Sequence, residues 1–107
     1  MSGSDPTVRT GTGNSGSGGD CIPRFQTVIA SPIPSVVVGL TIGQLLDIVK
    51  IETPIRGVVA RTLVGDVVGA ITRDIVTLRR CIDKGVVYEA EVLDISGGSV
   101  TVEVRIR

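Results

Sequence analysis

Histidine and tryptophan are missing from this 107-residue chain, and phenylalanine, tyrosine and methionine occur once each. Without an imidazole there is no His-based general base, no Ser-His-Asp triad and no imidazole metal ligand, which excludes the commonest hydrolase designs. Cys21 and Cys81 are the only cysteines, too few and too far apart to make a zinc site, so no structural metal is expected. The scarcity of aromatics leaves few platforms on which bases could stack. Net charge of either sign is lacking too: 11 basic and 11 acidic residues cancel, so no overall field draws the chain to nucleic acid or to an anionic membrane. Met1 to Asp5 shows neither a basic nor an apolar leader region, and a cytoplasmic location is the expectation. In that compartment the two cysteines are expected as free thiols rather than as one disulfide. The stretch from Thr27 to Leu46 carries no formal charge, but Pro32 and Pro34 would break a spanning helix, so no membrane span is expected.

What is present is β-branched. Hydrophobic residues make up 42% of the chain, mainly Val and Ile, whose χ1 stiffness favours strands over helices. This length supports one core and therefore one domain. Residues 1 to 20 hold six of the fourteen glycines among Ser, Thr, Asn and Asp, with almost nothing to bury, and read as a disordered Gly/Ser-rich tail ahead of a domain over 21–107. The tail contains Gly11-Thr-Gly13-Asn-Ser-Gly16, a match to the dinucleotide fingerprint. That fingerprint needs a strand before it and a helix after it, which this composition does not supply, so the match is chance. No cofactor is expected.

From Phe25 the pattern becomes regular. Phe25 to Ile29 reads as a strand ended by Ser31-Pro32-Ile33-Pro34. The apolar runs Val36–Leu40 and Leu45–Ile51 follow, and the stretch up to Leu46 reads as strand, turn and strand. Gly57–Thr62 and Val67–Ile71 flank Leu63-Val-Gly65-Asp66 as a hairpin. One helix is predicted from a Thr72 cap to Lys84, closed by Gly85, with Ile75, Leu78 and Ile82 inward and Cys81 beside them. Arg73, Arg79, Arg80 and Asp83 fall on its solvent side. In the last hairpin Val100, Val102, Val104 and Ile106 alternate with polar residues, as do Tyr88, Ala90 and Val92 before them. Matching the two dry faces needs an odd loop, which predicts a three-residue Gly97-Gly98-Ser99 connection with Glu91 facing Arg105 and Glu89 facing Arg107. The whole predicts a mainly β (α+β) fold, a small OB- or SH3-like barrel of five to six strands with one helix at about 72–84.

For chemistry, Glu89/Glu91 and Asp66/Asp74 are the available acid pairs, but they read as a solvated strand face and turn residues. Cys81 reads as a packed thiol rather than a nucleophile. Arg56, Arg61, Arg73, Arg79, Arg80 and Lys84 surround one hairpin and the helix and are the candidate phosphate-binding residues, interspersed with Asp66, Asp74 and Asp83.

Gly65-Asp-Val-Val-Gly69-Ala-Ile71-Thr-Arg73, then a helix, then Gly85-Val-Val-Tyr88-Glu-Ala-Glu-Val92, resembles the C-terminal half of HIRAN domains over about residues 58–106. Where that family carries an N-P-x-D-x-N-A-I segment, this chain has Glu52-Thr-Pro54-Ile-Arg-Gly-Val-Val-Ala. The resemblance implies a small barrel closed by a helix, and binding of single-stranded DNA ends. The expectation from the sequence is a non-catalytic binding or accessory module. Its expected partner is another protein, the alternative is single-stranded DNA or RNA, and homodimerisation through an edge strand at Phe25–Ile29 is a further expectation.

Overall fold

A computed structural model describes residues 20–107. The glycine-rich stretch before Asp20, with its fingerprint match, lies outside the described residues. The chain runs β1 (Arg24–Val28), α1 (Pro34–Val37), β2 (Leu45–Ile51), β3 (Gly57–Arg61), β4 (Val67–Ala70), α2 (Ile75–Asp83), β5 (Tyr88–Ser96) and β6 (Ser99–Ile106). The six strands form one antiparallel sheet in the order β1-β6-β5-β2-β3-β4, curled into a half-barrel. Among the described residues no helix is long and apolar enough to cross a membrane.

Alternation produces the core, as the valine spacing requires. Val100, Val102 and Val104 of β6, Tyr88, Ala90 and Val92 of β5, Leu46 and Ile48 of β2, and Val58 and Ala60 of β3 are all buried on the concave side. Helix α2 adds Leu78 and Cys81 to the same cluster. Each fully buried Val or Leu contributes about 1.5–3 kcal/mol.

The two outer strands meet. After β1, the Ile29 amide donates to the Val100 carbonyl at 2.9 Å, and the chain then leaves β6 for β4. Ala30 and Ala70 exchange hydrogen bonds of 2.8 and 2.9 Å, and the Ile33 amide donates to the Val68 carbonyl at 2.8 Å. This crossing needs a residue without a side chain at position 69. A Cβ there would sit 2.5 Å from Ile29 Cγ2 and 2.8 Å from the Ala30 carbonyl oxygen.

Four expectations are corrected. Val36–Leu40 is not a strand: Pro34, at the first helical position, starts the single turn of α1, with the Val36 and Val37 amides donating to the Ile33 carbonyl at 3.0 Å. The fixed φ of proline overrides the β preference of three valines. Helix α2 starts at Ile75 rather than after a Thr72 cap, because the Ile71 amide is held extended by the Val58 carbonyl at 2.8 Å and Asp74 takes a left-handed φ of 54°. Its end is as expected. Gly85, at φ 94°, donates to the Ile82 carbonyl and Val86 to that of Cys81, which is the Schellman pattern.

The last hairpin turns on two residues, Gly97 and Gly98, both at positive φ, with Ser96 opposite Ser99. A bulge at Leu93 supplies the extra residue that parity demands, so the dry faces still match. Glu91 therefore faces Glu103, and Glu89 faces Arg105. The like charges are bridged by Arg105, whose Nε lies 3.0 Å from Glu89 Oε2 and whose Nη1 lies 2.8 Å from Glu91 Oε1 and 3.3 Å from Glu103 Oε1. Fourth, the cysteines are not free thiols. Cys21 and Cys81 form a disulfide with Cα atoms 5.9 Å apart, tying the start of the described chain to the buried face of α2.

Gly69→Ala should lower stability by about 1–3 kcal/mol, the usual range for forcing atoms into a packed site, read as a shift in the urea midpoint. A wild-type midpoint would mean that the crossing relaxes freely. Opening the disulfide, which closes a separation of 60 residues, should cost about 4 kcal/mol by chain entropy, measured by comparing urea unfolding with and without reductant. Arg105→Ala should destabilise at neutral pH, where three carboxylates lose their shared cation, and less at a pH low enough to protonate them. An equal loss at both values would remove charge as the reason.

Candidate functional site

Of the six candidate cations, the fold gathers three. Arg56, in the turn between β2 and β3, faces Arg79 and Arg80 of α2 across a groove of about 500 Å³ that Ile75, Val76 and Asp83 complete. Lys84 stands one helical turn beyond Arg80, at the C-cap of α2. Arg61 lies on β3 opposite Asp47, and Arg73 is turned towards β1, its guanidinium 5.7 Å from the Phe25 ring centre and its Nη1 donating to the Gln26 carbonyl at 2.7 Å. Those two do not join the groove.

Within the groove the arginines differ. Arg79 was expected in solvent, yet its side chain is only 14% exposed. Its Nη1 donates to the Ile51 and Gly57 carbonyls at 2.9 Å each, and its Nη2 to Glu52 Oε2 at 2.9 Å. It is a strut that pins the β2–β3 turn to α2, because the turn leaves carbonyls that no strand can satisfy and a planar fork reaches several acceptors at once. Arg56 Nε pairs with Glu52 Oε1 at 3.2 Å and remains largely exposed. Among the described residues Arg80 has no ion-pair partner, and its Nε is enclosed without an acceptor. Beyond Arg56 and Ile75 the groove continues into an apolar hollow of about 260 Å³ lined by Ile51, Ile55, Val59 and Ile71.

The ionic frame around the groove sets its titration. The hydrogen bond from Arg79 holds the Glu52 carboxyl below its ordinary value of 4.5. Lys50, hydrogen-bonded to Asp83, holds that carboxyl below 3.8, and Asp83 in turn raises Lys50 above 10.5.

A second groove, of about 440 Å³, opens at the end of the half-barrel between α1 and the β3–β4 turn, lined by Ser35, Leu40, Gln44, Thr62, Val64 and Asp66. Val64, which lines it, is 87% exposed, its neighbour Leu63 on the same turn is exposed to a similar extent, and Val38 and Ile42 are exposed at and after the end of α1. Of the residues here only Asp66 was singled out from the sequence, as a candidate acid. The signal was Leu63-Val64 at the tip of a hairpin turn, where polar residues are the rule.

Three of the four candidate acids are ion-paired. Glu89 and Glu91 are engaged by Arg105, and Asp74 lies 3.6 Å from Arg73 Nε. The backbone amide of Asp66 donates to Thr62 Oγ1 at 3.0 Å as the turn closes. Among the described residues no three His, Cys, Asp or Glu side chains are grouped to hold a metal ion.

Because the carboxyls of Glu52 and Asp83 are lowered in the folded state, the stability they contribute is complete above their ordinary values and is lost as pH falls through the folded ones. Arg79→Met should return the Glu52 titration towards 4.5 and loosen the β2–β3 turn, both visible in carboxyl and amide NMR shifts. An unmoved Glu52 titration would show that Arg79 is not its partner in solution.

No known protein family, curated protein or solved structure matches this chain.

Proposed function

We propose that this chain is a non-catalytic docking module that binds another protein within a larger assembly, through the open end of the half-barrel. The observation that supports this most is the exposed apolar pair Leu63 and Val64 on the β3–β4 turn, of which Val64 lines the 440 Å³ groove. Apolar side chains set on loop tips gain nothing from water and about 25 cal/mol for each Å² that a partner covers. The polar groups of the same groove, Ser35, Gln44, Thr62 and Asp66, give such a partner a small number of directional contacts.

The resemblance to HIRAN domains agrees with a binding role and carries a second reading, in which single-stranded nucleic acid lies along the Arg56, Arg79 and Arg80 groove. The clustering of those three arginines favours it. Against it, Arg79 is spent on the β2–β3 turn, and Phe25 and Tyr88, the only aromatics, are buried and offer no base a stacking face. Pairing of a second copy on β1 has little room, since the Gln26 carbonyl is taken by Arg73 and the chain beyond Val28 is bonded to β4. The expected cytoplasmic location sits poorly with a disulfide, a bond that persists mainly in oxidising compartments.

Leu63→Asp/Val64→Asp, both at exposed turn positions, should leave the fold within about 0.5 kcal/mol. The same double variant should reduce by about tenfold or more the recovery of proteins that co-purify with the tagged full chain from its native source. Recovery unchanged in the double variant but abolished by Arg80→Glu would transfer the function to the other groove. In the same chain, tight and steeply salt-dependent binding of short labelled single strands would establish the nucleic-acid reading instead.

A further inference from the structure

We infer that the groove between α2 and the β2–β3 turn is a second docking surface, built for an acidic segment of a partner protein that carries apolar side chains among its carboxylates. It lies on different elements from the groove at the barrel end and does not depend on that groove.

The groove presents two kinds of surface side by side. Ile55 and Val76 stand 76% and 74% exposed on its opposite banks, above a floor of Ile51, Val59 and Ile75. An arginine at this position could cover such a floor with its own stem, but Arg79 is turned inward to the Ile51 and Gly57 carbonyls, and the apolar hollow stays open. Around it cations outnumber carboxylates, with Lys50, Arg56, Arg79, Arg80 and Lys84 against Glu52 and Asp83. Both carboxylates are already engaged, Glu52 by Arg56, Arg79 and Lys50, and Asp83 by Lys50. In a chain whose net charge is zero, this face is therefore locally positive.

Charge complementarity selects the occupant. Carboxylates steer to such a face and fix the register, while apolar side chains between them fill the hollow, so affinity and specificity come from different atoms of one segment. A phosphate polymer would use the arginines alone. It would leave Ile55 and Val76 in water, and would meet Asp83 and Glu52 without an aromatic to hold its bases.

The test uses the full oxidised chain and fluorescence anisotropy with three labelled probes: a peptide with leucine and glutamate at helical spacing, an oligoglutamate of equal charge, and an oligothymidylate of similar length. The leucine–glutamate peptide should bind about tenfold or more tightly than either of the others, and raised salt should weaken it without abolishing it. Arg80→Gln and Val76→Asp, each at a position outside the buried core, should each weaken it by about tenfold, and Leu63→Asp/Val64→Asp should not. Thermal melts confirm that each variant is folded, and Arg80→Gln keeps part of the aliphatic stem. Equal binding of oligoglutamate, tighter binding of oligothymidylate, loss in the Leu63/Val64 double variant, or no binding of the leucine–glutamate peptide would each overturn the inference.

Discussion

The crossing of the chain from β6 to β4 at Ala30 and Ala70 is the contact on which the other features depend. It draws the outer strands of a curled sheet together, and it sets Pro32 and Pro34 where α1 must start. Without it α1 would have no fixed place beside the β3–β4 turn, and the groove at the barrel end would have one wall. The absence of a side chain at position 69 makes the close approach possible. In the sequence that residue belongs to Val68-Gly69-Ala70-Ile71, and the packing gives the glycine there a steric meaning.

The elements that could be read from the sequence are those in which one local force dominates. Alternation in β5 and β6 marks Tyr88, Val92, Val102 and Val104 as buried, and they are. Gly85 after Lys84 announces the end of α2, and Leu63 to Asp66 announces a turn. The misreadings occur where two local signals compete. Three valines after Pro34 speak for a strand and the proline for a helical turn. Parity in the last hairpin can be restored by an odd loop or by a bulge, and nothing at Leu93 distinguishes it as the extra residue.

The candidate site was legible as a set of residue types and illegible as an arrangement. Six cations could be named, but which of them share a groove depends on how the β2–β3 turn folds back on α2. Arg79 shows why. A helical wheel places it beside Leu78 at the edge of the solvent face, and its direction is decided by two backbone carbonyls far away in the chain. The cysteine pair is similar: at a sequence separation of 60, only the packing of residue 21 against α2 separates one bond from two thiols.

The Cys21–Cys81 bond also has a mechanical meaning. Tension applied to the chain ahead of residue 21 reaches α2 through a covalent link before it reaches β1. Strand β1 is thus spared from being peeled off β6 one hydrogen bond at a time, and the load passes into a helix whose buried side chains are locked in the core. Whatever is attached at that end is fastened to the body of the half-barrel rather than to the last strand of its sheet.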